Sequence, residues 1–186
     1  MTLRSILLVG HRWLGVVTSV ALALTGASGA LLIWTMPFPV RAIAGPMHEM
    51  FMMGRIGARI VLAVTLVAIV LQVTGLVLWW KCKTVVVRRS VTLRAAVVDL
   101  HHAVGVVCLP LMLLLSITGV GMATGHTFGR DVEHVIETYH TGRTLPLPVQ
   151  IVYVLGALSF LVQGVTGVFM WWKRPRTGGA FVRSAG

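Results

Sequence analysis

The chain has 186 residues, 56% of them hydrophobic and only 11% charged, and a net charge of +11. A soluble domain lacks the polar surface to cover so much apolar side chain, so the composition excludes an ordinary soluble enzyme. The positive charge does not indicate nucleic acid, because the basic residues gather in particular connectors.

Four apolar stretches, roughly residues 12–34, 59–80, 98–122 and 149–172, reach the ~20 residues that a helix needs to span a bilayer. The first starts beside His11 and carries Gly15 and Gly29. Its apolar run is too long for a secretory h-region, so it reads as a retained span. The first connector holds His48 among Met47, Met50, Met52 and Met53. Thioethers can ligate haem iron, but this cluster reads as an apolar segment lying on lipid.

The second stretch closes on VLQVTGLVLWWK (70–81), and a basic loop follows. The third opens on LHHAVG and contains Cys108, Thr118-Gly119 and the start of a Gly121-xxx-Gly125 packing motif. Asp99 is the one acid near a span; it is expected to cap the third helix or to orient His102. The last connector carries His126, His134 and His140, and the fourth stretch closes on VQGVTGVFMWWK (162–173). The connectors, about 25, 17 and 26 residues long, are too short for an independent fold. Residues 1–186 therefore read as one transmembrane four-helix domain. Cys82 and Cys108 fall at different depths, so no disulfide is expected. No CxxCH is present for covalent haem attachment.

The chain repeats itself. Residues 70–81 and 162–173 agree at seven of twelve positions at an offset of 92, which also carries His48 onto His140. At an offset of 90, HRWLG from His11 meets HHAVG from His101, and Ser28-Gly29 meets Thr118-Gly119. The expected fold is all-α: two helical hairpins repeated in parallel, about 7–83 and 97–175, related by a pseudo-twofold axis along the membrane normal. Eleven basic residues lie at the termini and the middle loop, against five in the other two connectors. The positive-inside bias then puts both termini in the cytoplasm, with the tryptophan pairs in a belt on that side.

Helical spacing puts residues i, i+4 and i+18 on one stripe. His11, Gly15 and Gly29 have that spacing, and so do His101, Gly105 and Gly119. Gly75 and Gly167 fall near the same depth as Gly15 and Gly105. Two histidines at matching depth, with glycines around them, leave room for a flat macrocycle. Ionisable residues in spans are costly and commonly functional, and neutral imidazole is a good axial ligand for haem iron. His102 points about 100° away from His101, and the repeat selects His101. His48 and His140 would form a second pair by folding back above Gly29 and Gly119. Small residues also serve plain helix packing, and loop histidines are common. Those readings compete with a cofactor site. His126 stands as a reserve ligand. No HExxH, nucleophilic triad, Gly-rich phosphate loop or paired intramembrane carboxylate is present, which leaves hydrolysis and proton pumping without residues.

HRWLG at His11, LHHAVG at Leu100, Thr118-Gly119, the YHTGR stretch around His140 and the two VTG…WWK endings resemble the PepSY-associated transmembrane family over about residues 7–176. The resemblance is to a minimal four-helix member without the soluble PepSY domain. It implies a bacterial inner-membrane protein with haem b, one or two per chain, held by His11, His101, His48 and His140. It also implies a ferric-reductase-like oxidoreductase component. The missing PepSY domain weakens siderophore reduction as the activity. The sequence shows no flavin or nicotinamide domain, so electrons would come from quinol or a protein partner. The leading expectation is haem-based electron transfer across the membrane. The alternatives are a non-catalytic, haem- or pigment-holding subunit of a larger membrane complex, and a metal or small-solute transporter. The few charges in the spans count against the transporter.

Overall fold

Thr2 starts the first helix by accepting a hydrogen bond from the Ser5 N–H at 3.3 Å, the usual side-chain cap for an otherwise unpaired amide. From there α1 (Leu3–Ile33) runs without a break. The computed structural model describes residues 2–34, 37–80, 92–124 and 129–173. Among these residues the protein is all helical, without strands. After α1 come α2 (Phe38–Met50), α3 (Gly54–Trp80), α4 (Leu93–Val107), α5 (Leu109–Thr124), α6 (Arg130–Thr141) and α7 (Leu147–Trp172). Helices α1, α3 and α7 are each long and apolar enough to cross a membrane, and α4 with α5 makes a fourth crossing if the bent pair counts as one. The chain is a multi-pass membrane protein.

The composition predicts a single helix over the third apolar stretch, and the structure departs from that. The stretch breaks at Cys108 and bends by 64° between α4 and α5. Pro110 supplies the cause. It has no N–H to give the Val106 carbonyl and its ring crowds that carbonyl, at a cost of ~3 kcal/mol in a straight helix. The offset of 90 places Val20 at the matching position of α1, and α1 stays continuous there. Asp99 is not the cap expected of it. Thr92 caps α4 by accepting from the Ala95 N–H, and Asp99 lies buried further along the helix.

The first and last connectors carry helices, α2 and α6, where loops were expected. Pro39 sits in the first turn of α2, where a missing N–H costs nothing. At its other end the chain turns sharply through left-handed Phe51, Met52 and Gly54. A Cβ on Gly57 would overlap the Met50 carbonyl, so glycine is what lets α2 lie against α3. Asp131 and Glu133 fill the first turn of α6, matching its dipole, and Gly142 ends it at φ 63°.

Helix α1 packs most extensively on α7, and also on α2 and α3. Small residues make the α1–α7 approach close: a Cβ on Gly164 would come within 2.8 Å of the Ser19 carbonyl. On the other side α3 meets α5 through a buried hydrogen bond from Gln72 Nε2 to Ser116 Oγ, 2.8 Å long. Trp13 at the start of α1 meets Trp171 at the end of α7, with ring centroids 6.1 Å apart. At the opposite end Arg143, just before α7, donates to the Leu32 carbonyl at the end of α1. These two helices therefore run antiparallel, and one end of the bundle is rich in tryptophan. Cys108 is a half-buried free thiol at the bend. Cys82, His126, Gly125 and the basic residues of 81–91 and 174–186 lie outside the described residues.

Candidate cofactor site

Four histidines are held by one kind of local structure. At the tryptophan-rich end His11 Nδ1 lies 2.9 Å from Thr74 Oγ1, and His101 Nδ1 lies 2.8 Å from Thr166 Oγ1. At the other end His140 Nδ1 lies 3.1 Å from Thr118 Oγ1, and His48 Nδ1 lies 2.9 Å from the Thr25 carbonyl. Each ring also rests beside a glycine that follows a Ser or Thr: Gly75 for His11, Gly167 for His101, Gly119 for His140 and Gly29 for His48. The Ser/Thr–Gly dipeptide thus forms a cradle. Its hydroxyl, or the carbonyl three residues earlier, meets the ring nitrogen, and the glycine leaves space for the ring edge.

Hydrogen-bond accounting sets the tautomer. The three threonine hydroxyls donate back into their own helices, to Val70 at 2.8 Å, Val162 at 2.6 Å and Leu114 at 2.7 Å. Their single proton is used, so their oxygens accept from the imidazoles. A carbonyl can only accept, so His48 donates as well. All four rings therefore carry the proton on Nδ1 and the lone pair on Nε2. A hydrogen bond at one imidazole nitrogen that frees the other is how proteins prepare histidine to bind a metal.

At the non-tryptophan end two of the rings lie close together. The His48 and His140 centroids are 6.0 Å apart and their planes are inclined by 41°. A metal–imidazole bond is about 2 Å, and the ring centre lies roughly 1 Å behind the nitrogen. Two imidazoles on opposite sides of one ion therefore have centres ~6 Å apart. Among the described residues no three or more His, Cys, Asp or Glu side chains gather around a common point. Haem iron takes two ligands from the protein, and the close His48–His140 pair could supply them. The residues present fit that group.

Burial lowers the His48 pKa, against opposing contributions from the Thr25 carbonyl and Glu49. Burial and then the neighbouring His48 push His140 down to about 4, against the Leu115 carbonyl. Both rings are therefore neutral at ordinary pH, the form a ligand needs. His101 lies within electrostatic range of His11 and His102.

The structure brings together most of the residues singled out by sequence. His101 is half-buried and bonded while His102 is exposed. His134 is also exposed. Gly29 and Gly119 lie directly against His48 and His140, with an added Cβ coming within 2.9 Å and 3.2 Å of the rings. Gly15 faces open room, its Cβ meeting only Leu71 at 3.9 Å. Gly105 instead faces Gln163, whose Nε2 would lie 3.1 Å from a Cβ there and donates to the His101 carbonyl. The residues that sequence reasoning missed are Thr74, Thr118 and Thr166 as histidine partners. Their signal was present: a Ser/Thr–Gly dipeptide occurs four times at the repeat offsets.

These observations define a multi-pass helical membrane protein with half-buried, hydrogen-bonded histidines near both ends of its bundle. A family model described as the PepSY-associated TM region matches residues 35–139 and 123–174. The chain belongs to that family. No curated protein and no solved structure matches it.

Proposed function

We propose that this chain is a di-haem electron-transfer protein of the bacterial cytoplasmic membrane. Its two hairpins repeat in parallel, and both termini face the cytoplasm. His11 and His101 hold one haem b toward the cytoplasmic side. His48 and His140 hold the other toward the outer side. The excess of basic residues at the termini and middle loop supports this orientation. The single observation that carries the reading is the shared Nδ1 contact. Four half-buried imidazoles each meet a threonine hydroxyl or a backbone carbonyl through Nδ1, an arrangement that favours the tautomer with Nε2 free.

Bound haem would supply reversible one-electron chemistry at its iron. The chain's own residues do the rest. The Ser/Thr–Gly cradles fix each ring's orientation, burial keeps the rings neutral, and the apolar helices surround the sites with low dielectric. His11 and Gly29 lie on α1 eighteen residues apart, which puts the two tiers ~27 Å apart along the helix. That is far enough to serve both membrane faces. Electrons enter from quinol or a protein partner.

Paired substitutions test the reading. His101→Ala should abolish one low-spin bis-histidine signal in the electron paramagnetic resonance spectrum, and His102→Ala should leave it intact. The reverse pattern, or no haem signal in the unaltered protein, contradicts the assignment.

A further inference from the structure

The end of the bundle that carries α2 and α6 holds a cavity of about 170 Å³ lined by Ile33, Trp34, Arg41, Arg143 and Gln150. Four elements meet there: the end of α1, the first turns of α2, the α6–α7 turn and the first turn of α7. Two of the five lining residues are arginines, and no acid lines the cavity. Among the described residues neither guanidinium is in an ion pair, although Glu49, Asp131, Glu133 and Glu137 stand on the same connectors.

The arginines are placed differently. Arg143 is anchored: its Nε donates to the Leu32 carbonyl at 2.9 Å. That bond fixes the guanidinium plane and leaves the terminal nitrogens to a further acceptor. The backbone around it is tied as well, because Gln150 Nε2 donates to the Arg143 and Leu145 carbonyls at 3.0 and 2.9 Å. Arg41 is exposed on α2 and reaches the same cavity from the other side. Two like charges sharing a small cavity repel each other. The N-terminal turn of α7 adds the positive end of a helix dipole. An oxyanion would offset both, and guanidinium forks match phosphate and carboxylate oxygens in pairs.

We infer that this cavity is a binding site for one phosphate or carboxylate group, clamped between Arg41 and Arg143. Two sources share that chemistry: the headgroup of an anionic lipid and a soluble anion. Trp34 at the end of the span, and half-exposed, puts the site at the depth where headgroups lie. The site does not depend on haem, and its test uses no haem signal.

The full chain, purified into phosphatidylcholine nanodiscs, is challenged in two arms. In the first, phosphatidylglycerol is added and native mass spectrometry counts the lipid retained. In the second, inorganic phosphate is titrated calorimetrically. One arm should give a single site per chain, and Arg41→Gln and Arg143→Gln should each weaken it by roughly tenfold. Arg130→Gln, outside the cavity, should not. Retention of phosphatidylglycerol alone identifies a lipid site, and binding of free phosphate identifies a soluble anion. Among the described residues the Arg41 side chain makes no hydrogen bond, so Arg41→Gln remains informative if Arg143→Gln fails to fold. Binding in neither arm, or equal binding by Arg41→Gln and the unaltered protein, overturns the assignment.

Discussion

Replacing Thr166 by Val removes one oxygen and keeps the shape of the side chain. In the structure that oxygen accepts from His101 Nδ1 at 2.8 Å while its own proton goes to the Val162 carbonyl at 2.6 Å. Valine leaves the half-buried Nδ1–H without its acceptor. An orphaned buried donor costs ~1–3 kcal/mol, and loss of the partner behind a metal-bound histidine weakens metal affinity ~10–100-fold. The two scales agree, since 1.4 kcal/mol is a factor of ten. The equilibrium constant for haem transfer to apomyoglobin should therefore be about ten to a hundred times larger for Thr166→Val than for the unaltered protein. The midpoint potential of the remaining haem should shift as well. Thr166→Ser restores the oxygen and should restore both. Thr18→Val is the control, because among the described residues the Thr18 hydroxyl bonds only the Leu14 carbonyl. If Thr166→Val holds haem as tightly as Thr18→Val, with an unchanged potential, the cradle does not act on a ligand.

The glycines give a graded series. Gly29→Ala and Gly119→Ala place a Cβ 2.9 and 3.2 Å from a histidine ring and should lower haem content at the outer tier. Gly167→Ala, at 3.8 Å from His101, should be tolerated. Equal haem content across all three refutes the close-contact account. In the cofactor-free protein, His140 is held down to about 4 from an ordinary value near 6.5. Its neutral form adds stability above pH 6.5, and that stability is lost as pH falls toward 4. The full effect is on the order of 3 kcal/mol, at 1.36 kcal/mol per unit. Amide exchange in α6 should rise over that window in the unaltered protein and much less in His140→Ala. An equal rise in both would deny His140 the role. A C-terminal alkaline phosphatase fusion should be inactive, since both termini are expected in the cytoplasm, and activity would reverse the topology.

Much of the candidate site's geometry was legible because the chain states it twice. The offset of 90 chose His101 over His102, and the structure gives His101 the bond and leaves His102 exposed. The offset of 92 paired His48 with His140, whose rings lie 6.0 Å apart. Hydropathy located the spans but missed the bend, because Pro110 is a single residue in an apolar run and changes hydrogen bonding rather than hydrophobicity. The first and last connectors passed as loops for a related reason. In α6, Val132, Val135, Ile136 and Tyr139 recur at helical spacing, but charged residues separate them and mask the stripe. Asp99 was read as either a cap or a residue orienting His102, the cap because Asp suits helix starts. Thr92 took that place six residues into the expected turn region, where boundaries are hard to see. The threonine partners went unread because the glycines were read as room for a macrocycle and the Ser or Thr before each was given no role. Only the Nδ1 contacts show that the hydroxyl and the glycine act on one ring.

The most direct test is the pyridine haemochrome content of the purified protein, read with its oxidised and dithionite-reduced spectra. Two haem b per chain are expected, both low-spin, falling to one in His48→Ala and in His11→Ala. Protein that remains colourless when produced with ample haem would contradict the account.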